Sequence, residues 1–174
     1  MLMRKIILSL TIVLISLIIL ILFLGLKTKK IYDTKDIIGK PISKLELKIL
    51  NENNNFNTAD LRKNNFTLIN FWASWCAPCK KEHKHLISLK KKNIKILGIN
   101  FKDKTSNANE FLKKLGNPYY LIASDQEGKT SVSFGVYGIP ETILVNKDLI
   151  IVKKYIGPLD KNDVNKILEI VNKK

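Results

Sequence analysis

The chain is poor in cysteine, arginine and histidine, and each scarcity closes off a class of function. Its 174 residues hold two cysteines, too few for the multi-bridge framework of small secreted domains. Arg4 and Arg62 are the only arginines among 30 basic residues, set against 15 acidic ones. The formal charge of +15 invites a nucleic-acid reading, but such surfaces cluster their charge and use arginine forks for phosphates and bases. Here the lysines are scattered among asparagines and isoleucines, so the charge reads as compositional bias and no nucleic-acid partner is expected. It remains compatible with a nearby anionic bilayer. The two histidines, His83 and His85, follow the cysteines closely, and Cys, Cys, His, His are zinc-ligand types. Residues two apart on a helix do not share a face, which argues against convergence on one ion, and no metal site is expected. Covalent haem attachment needs a histidine directly after the second cysteine, where this chain has Lys80. No internal repeat is visible.

What is abundant is aliphatic. Ile6 to Leu26 runs 21 residues without a charge, flanked by Arg4 and Lys5 before it and by Lys27, Lys29 and Lys30 after it. At about 1.5 Å per residue this spans the hydrocarbon core of a bilayer. The run exceeds a signal-peptide core, and Phe23-Leu24-Gly25-Leu26-Lys27-Thr28 offers no small-residue cleavage site, so an uncleaved anchor is expected. The domain map is then a cytoplasmic N-terminus over 1–5, a transmembrane signal anchor over 6–26, a polar tether over 27–37 and a soluble domain over 38–174.

Within that domain, Leu45 to Leu50 alternates like an exposed strand, Asn51 to Asn55 reads as a polar loop, and Thr58 is a candidate N-cap for a short helical turn. Phe66 to Trp72 is a nearly continuous apolar run suited to a central strand, interrupted by Asn70. A helix follows over Ala77 to Lys91, then a strand over Ile94 to Asn100, an order that requires a crossover and parallel pairing. Ser106 to Leu115 predicts a second helix, stopped by Gly116-Asn117-Pro118, and Tyr119 to Ala123 a short strand. A weakly helical stretch runs to Phe134. Thr142 to Val145 and Leu149 to Tyr155 predict a hairpin, and Lys161 to Val171 a terminal amphipathic helix.

The two cysteines sit as Cys76-Ala77-Pro78-Cys79 between the apolar strand and the lysine-rich helix. A sulfur at a helix mouth lies near unpaired backbone N–H groups and the positive end of the helix dipole, which stabilise a thiolate. Cys76, the more N-terminal and the more exposed, is expected to attack. Cys79, three residues on and partly buried, is expected to resolve the mixed disulfide. Pro78 removes an N–H that would be unpaired in any case. Glu82 lies one turn beyond Cys79 on the same face, where a carboxylate raises thiol pKa values or shuttles a proton. The order βαβ, helical insertion, ββα with Cys-x-x-Cys at the first strand-to-helix turn predicts an α/β thioredoxin-like fold: a central mixed sheet flanked by helices, with one N-terminal transmembrane helix.

The pieces Asn70-Phe71-Trp72-Ala73-Ser74-Trp75-Cys76, Cys79-Lys80-Lys81-Glu82-His83, Gly98-Ile99-Asn100-Phe101-Lys102-Asp103, Gly116-Asn117-Pro118-Tyr119 and Gly135-Val136-Tyr137-Gly138-Ile139-Pro140-Glu141-Thr142 carry a resemblance. The sequence resembles membrane-tethered, TlpA-like thioredoxin proteins, and most closely the DsbE/CcmG-type thiol:disulfide interchange proteins of cytochrome c maturation. The resemblance spans about 38 to 160, and its Gly135 to Thr142 piece is the most specific. It implies a thiol-disulfide oxidoreductase that reduces the haem-attachment disulfide of apocytochrome c, with Cys76, Cys79 and Glu82 catalytic. It also implies a cis-proline at Pro140, which would expose Ile139 backbone groups to a substrate peptide. Trp75, Ala77, Pro78, Ile139, Pro140 and Glu141 would then form the substrate-binding face. Asn70 stands where thioredoxin has a buried acid, so proton handling is expected to fall to Glu82, Glu141 or water.

The implied partners are apocytochrome c or its maturation proteins and a membrane thiol donor, with no cofactor beyond the Cys76–Cys79 disulfide. A dedicated dithiol on a membrane tether has little purpose facing a reducing cytosol, so the domain is expected on the periplasmic side of the cytoplasmic membrane. A general extracytoplasmic thiol reductase or oxidase with other clients, and a metallochaperone using the cysteines and a histidine, are the alternatives.

Overall fold

The computed structural model describes residues 2–27, 37–42 and 44–173. The expected tether lies almost wholly outside them. The described residues fall into two compact units, an N-terminal helix and the domain that follows. In the helix, α1 (Leu2–Lys27), the segment Met3–Gly25 has a mean hydropathy of 3.3 and is long and apolar enough to cross a bilayer. Its three hydroxyls turn back onto their own helix: Ser9 to the Ile6 carbonyl, Thr11 to Leu8 and Ser16 to Ile12 at 2.8–2.9 Å. These polar groups therefore make no demand on an apolar solvent.

The domain is built from β1 (Glu46–Ile49), β2 (Asn55–Asn57), a 3-10 turn (Thr58–Lys63), β3 (Phe66–Trp72), α2 (Ala77–Lys91), β4 (Ile96–Phe101), α3 (Thr105–Leu115), β5 (Leu121–Asp125), α4 (Lys129–Ser133), β6 (Glu141–Asn146), β7 (Ile151–Ile156) and α5 (Lys161–Asn172). One seven-stranded sheet runs β2-β1-β5-β4-β3-β6-β7. Strands β3, β4 and β5 are parallel and the outer pairings antiparallel, the mixed thioredoxin-like sheet that the sequence predicts. Side chains alternate across it. Leu68, Trp72, Ile96 and Leu144 join Leu86 and Leu89 of α2 and Val164 and Ile167 of α5 on one face. On the other, Ile69, Phe71, Leu97, Ile99 and Ile143 pack with Phe134 and Val136.

Local details depart from the sequence expectations for identifiable reasons. Asn55, expected as the end of a polar loop, instead opens the edge strand Asn55–Asn57, paired through Lys48↔Asn55 and Leu47↔Phe56, whose single apolar residue, Phe56, is too short a pattern to announce a strand. The 3-10 turn is capped by Asn57, whose side chain accepts from the Ala59 amide at 2.8 Å. Thr58 instead accepts from the Leu45 amide at 2.9 Å. Helix α3 starts at Thr105 with Lys104 at the cap position and no side-chain cap bond, rather than at Ser106. Strand β4 begins two residues later than expected because Asn93, at φ +63°, still belongs to the turn that ends α2. Gly98 of β4 faces a stacked Trp72–Tyr119 pair, with ring centroids 5.3 Å apart. A Cβ there would come within 2.8 Å of Tyr119 and 2.9 Å of the Trp72 indole nitrogen, so the close approach requires glycine.

Candidate active site

Strand β3 ends at Trp72, and the chain turns through Ala73 to Cys76 into α2. A disulfide joins Cys76 to Cys79, with an S–S distance of 2.03 Å and a Cα–Cα distance of 5.3 Å. Cys76 is the N-cap of α2, and its Sγ accepts from the Cys79 amide at 3.1 Å, while Pro78 occupies the first turn. Both sulfur-bearing residues are buried in this oxidised form, Cys76 at 4 % exposure and Cys79 at 2 %. Cys76 is therefore less open than the sequence predicts. Part of the reason is that the disulfide ties it to the helix side, where it packs with Trp72 and Leu86 in the core cluster. Trp75 stands out at 59 % exposure with its indole N–H donated to the Lys102 carbonyl at 3.1 Å, and Ala77 and Pro78 are exposed beside it.

Behind the disulfide, on the same face of α2 as Cys79, lies Glu82, fully buried. Its Oε1 accepts from Asn70 Nδ2 at 2.8 Å and its Oε2 from the Leu159 amide at 2.9 Å. Burial pushes this carboxyl up to about 7, against the opposing effect of those two bonds. Asn70 reaches it because even-numbered β3 residues face α2: its amide also donates to Thr142 Oγ1 at 3.0 Å, and its carbonyl accepts from the Tyr119 hydroxyl at 2.8 Å. Burial, and secondarily the Glu82 charge, hold the Tyr119 phenol well above its ordinary range, so it stays a donor. Asn70 is thus the link between a titratable carboxyl and the sheet.

The loops on either side are tied in as well. Asp103, after β4, accepts from the Ser74 amide at 2.6 Å, the Ser74 hydroxyl at 2.8 Å and Asn100 Nδ2 at 3.0 Å. This tie of the β4–α3 loop to the start of the dithiol turn is not visible in the sequence, where Asp103 appears only within a longer matching piece. On the other side, the Phe71↔Glu141 pairing of β3 with β6 brings the Gly135–Pro140 segment to the same sheet edge as the dithiol turn. The Ile139–Pro140 peptide bond is cis, and Ile139 packs against the core cluster that includes both cysteines. Glu141 is 2 % exposed, with its carboxylate turned inward to the Tyr137 and Gly138 amides at 3.1 and 3.2 Å.

The histidines do not join the sulfurs. His83 is buried, its Nε2 2.8 Å from the Gly116 carbonyl and its ring edge-on to Phe111, and burial lowers its pKa. His85 is half-buried on a separate face of α2. Among the described residues no group of three or more His, Cys, Asp or Glu is placed to hold a metal ion.

The sequence pattern of the Redoxin family matches residues 37–171. The chain belongs to the redoxin family, with the DsbE/HelX thiol:disulfide interchange proteins. It is 40 % identical over 131 residues to the thiol:disulfide interchange protein HelX of Rhodobacter capsulatus, covering 75 % of this chain and 74 % of that one. To DsbE of Escherichia coli K12 it is 40 % identical over 125 residues, covering 71 % and 68 %. A DsbE-type crystal structure from Chlorobium tepidum superposes with a TM-score of 0.64 at 22 % identity over 77 % of this chain and 95 % of that one, which bears on the fold. This redoxin is a thiol-disulfide oxidoreductase, and the Cys76–Cys79 disulfide is its redox-active group.

Proposed function

We propose that this redoxin is anchored in the cytoplasmic membrane by residues 6–26, carries its thioredoxin-like domain (38–174) on a tether at the periplasmic face, and reduces the haem-attachment disulfide of apocytochrome c. The observation that carries the reading is the placement of three things at one sheet edge: the helix-capping disulfide, the buried Glu82 behind it, and the Gly135–Pro140 segment. That segment is also the most specific piece of the resemblance to the cytochrome c maturation proteins. In the reduced protein, Cys76 thiolate attacks one sulfur of the client disulfide and the other client sulfur leaves as a thiolate. Cys79 then attacks Cys76, releasing the second client thiol and closing the Cys76–Cys79 bond. A membrane thiol donor restores the dithiol by the same exchange in reverse. Glu82 takes up the proton that Cys79 must lose. When ionised, it also opposes part of the thiolate stabilisation at the helix mouth, and a dithiol with weaker thiolate stabilisation is a reductant rather than a DsbA-like oxidant.

Trp75, Ala77, Pro78, Ile139 and Pro140 form the face that meets the client, with an extended client peptide pairing along the Ile139 backbone. Glu141 shapes that face from beneath. A strain lacking this protein is expected to lose most covalently assembled cytochrome c, measured by haem staining of membrane and periplasmic fractions. A small external thiol reductant should restore it. Cytochrome c at wild-type level in that strain would contradict the assignment.

A further inference from the structure

Beneath the Gly135–Pro140 segment lies an ion pair that takes no part in the exchange chemistry. Lys154 of β7 places its Nζ 2.6 Å from Glu141 Oε2, and both side chains are shut away from water. Removing two charges from water is costly, and a buried pair of this kind persists where further hydrogen bonds fill its remaining positions. Here those bonds run to the backbone of one segment. Glu141 Oε1 accepts from the Tyr137 and Gly138 amides at 3.1 and 3.2 Å, and Lys154 Nζ donates to the Gly135 carbonyl at 2.5 Å. The Gly157 amide adds a bond to the Pro140 carbonyl at 3.0 Å.

The origin of these groups gives the arrangement its meaning. Glu141 and Lys154 lie on the paired strands β6 and β7, in a register that sets Glu141 against Ile156 and Ile143 against Lys154, so the two side chains meet diagonally on one face. Two regular strands therefore hold the backbone of an irregular segment at Gly135, Tyr137 and Gly138. Tyr137 meanwhile presents its side chain outward, at 79 % exposure. An apolar pair would fill the same space without directing any of those backbone groups.

We propose that the Glu141–Lys154 ion pair is a positioning device: it fixes the Tyr137–Ile139 backbone in the form that receives a peptide, and so sets this redoxin's preference for peptide disulfides over small ones. The inference rests on the reading that a client peptide pairs beside Ile139. The pair touches neither sulfur, so its loss changes recognition and leaves the intrinsic exchange chemistry in place.

The test uses the full-length reduced protein in detergent and two oxidants, a disulfide-bonded Cys-x-x-Cys-His peptide and the small aromatic disulfide 5,5′-dithiobis(2-nitrobenzoate). Lys154→Met breaks the pair and its bond to the Gly135 carbonyl while leaving the client face itself unsubstituted, and Lys154→Arg keeps the cation. Lys154→Met is expected to react with the peptide roughly tenfold or more slowly, while its rate with the small disulfide and its equilibrium with glutathione stay within about threefold of wild type. Lys154→Arg is expected to keep the peptide rate within about threefold. Equal losses on both oxidants, an unchanged peptide rate, or a Lys154→Met variant that does not fold would each overturn the inference. A wild-type protein that does not favour the peptide over the small disulfide would overturn the peptide-pairing reading itself, and the inference with it.

Discussion

Cys76→Ser is expected to abolish disulfide reduction, lowering the rate by at least about a thousandfold, because a hydroxyl at the helix mouth does not reach the thiolate state that performs the attack. The structure makes this the largest single-residue effect in the chain. Cys76 caps α2 and faces the end of the dipole, whereas Cys79 is deeper and supplies the resolving sulfur. The rate of peptide disulfide reduction under single-turnover conditions checks it. Residual activity within tenfold of wild type would mean that Cys79 can attack alone, and would contradict the assignment of Cys76 as the attacking sulfur.

The second large effect belongs to Glu82. Glu82→Gln removes a buried carboxyl held at about 7, so the pH inflection near neutrality in the resolving step should disappear. With no negative charge opposing thiolate, the reduction potential should rise by about 30 mV, a tenfold change in the exchange equilibrium. Stability carries the same signature. The folded-state value lies above the ordinary 4.5, so Glu82 contributes stability that is fully present below about 4.5 and is lost as pH rises through about 7. The full span is about 3 kcal/mol. His83 works the other way: its lowered value gives stability that is present above about 6.5 and lost as pH falls below it. The two windows overlap, so the wild-type profile is flattened. The difference between wild type and Glu82→Gln in urea unfolding, taken from pH 4 to 8, isolates the Glu82 contribution.

The sequence made the thioredoxin-like order legible because its signals were strong and local. The apolar β3 run, the Cys-x-x-Cys at the head of α2 and the amphipathic α5 each announce themselves within one element. The Lys161–Asn172 helix even carries a reciprocal cap between Asp160 and Asp163, two residues whose roles a pattern alone leaves open. Glu82 could be placed on the face of Cys79 by helical spacing, and Asn70 stood out as a polar residue in an apolar strand. That the two bond to each other is a consequence of β3 and α2 packing face to face, and no periodicity reports that. Asp103 and Lys154 were invisible for the same reason. Each acts across strands or loops far apart in the chain, one on Ser74 and the other on Gly135. The edge strand β2 escaped because three residues with one apolar member, Phe56, are too few to show an alternation.

One measurement bears most directly on the whole account. In Cys79→Ala the resolving sulfur is gone, so a client attacked by Cys76 stays attached. Incubating the reduced full-length variant with an oxidised apocytochrome c that carries a Cys-x-x-Cys-His motif, followed by non-reducing electrophoresis and mass spectrometry, should give a one-to-one adduct. The expected bond joins Cys76 to a haem-attachment cysteine and forms in preference to bonds with cysteines of unrelated disulfide proteins in competition. Equal capture of unrelated disulfides, or no adduct through Cys76, would contradict it.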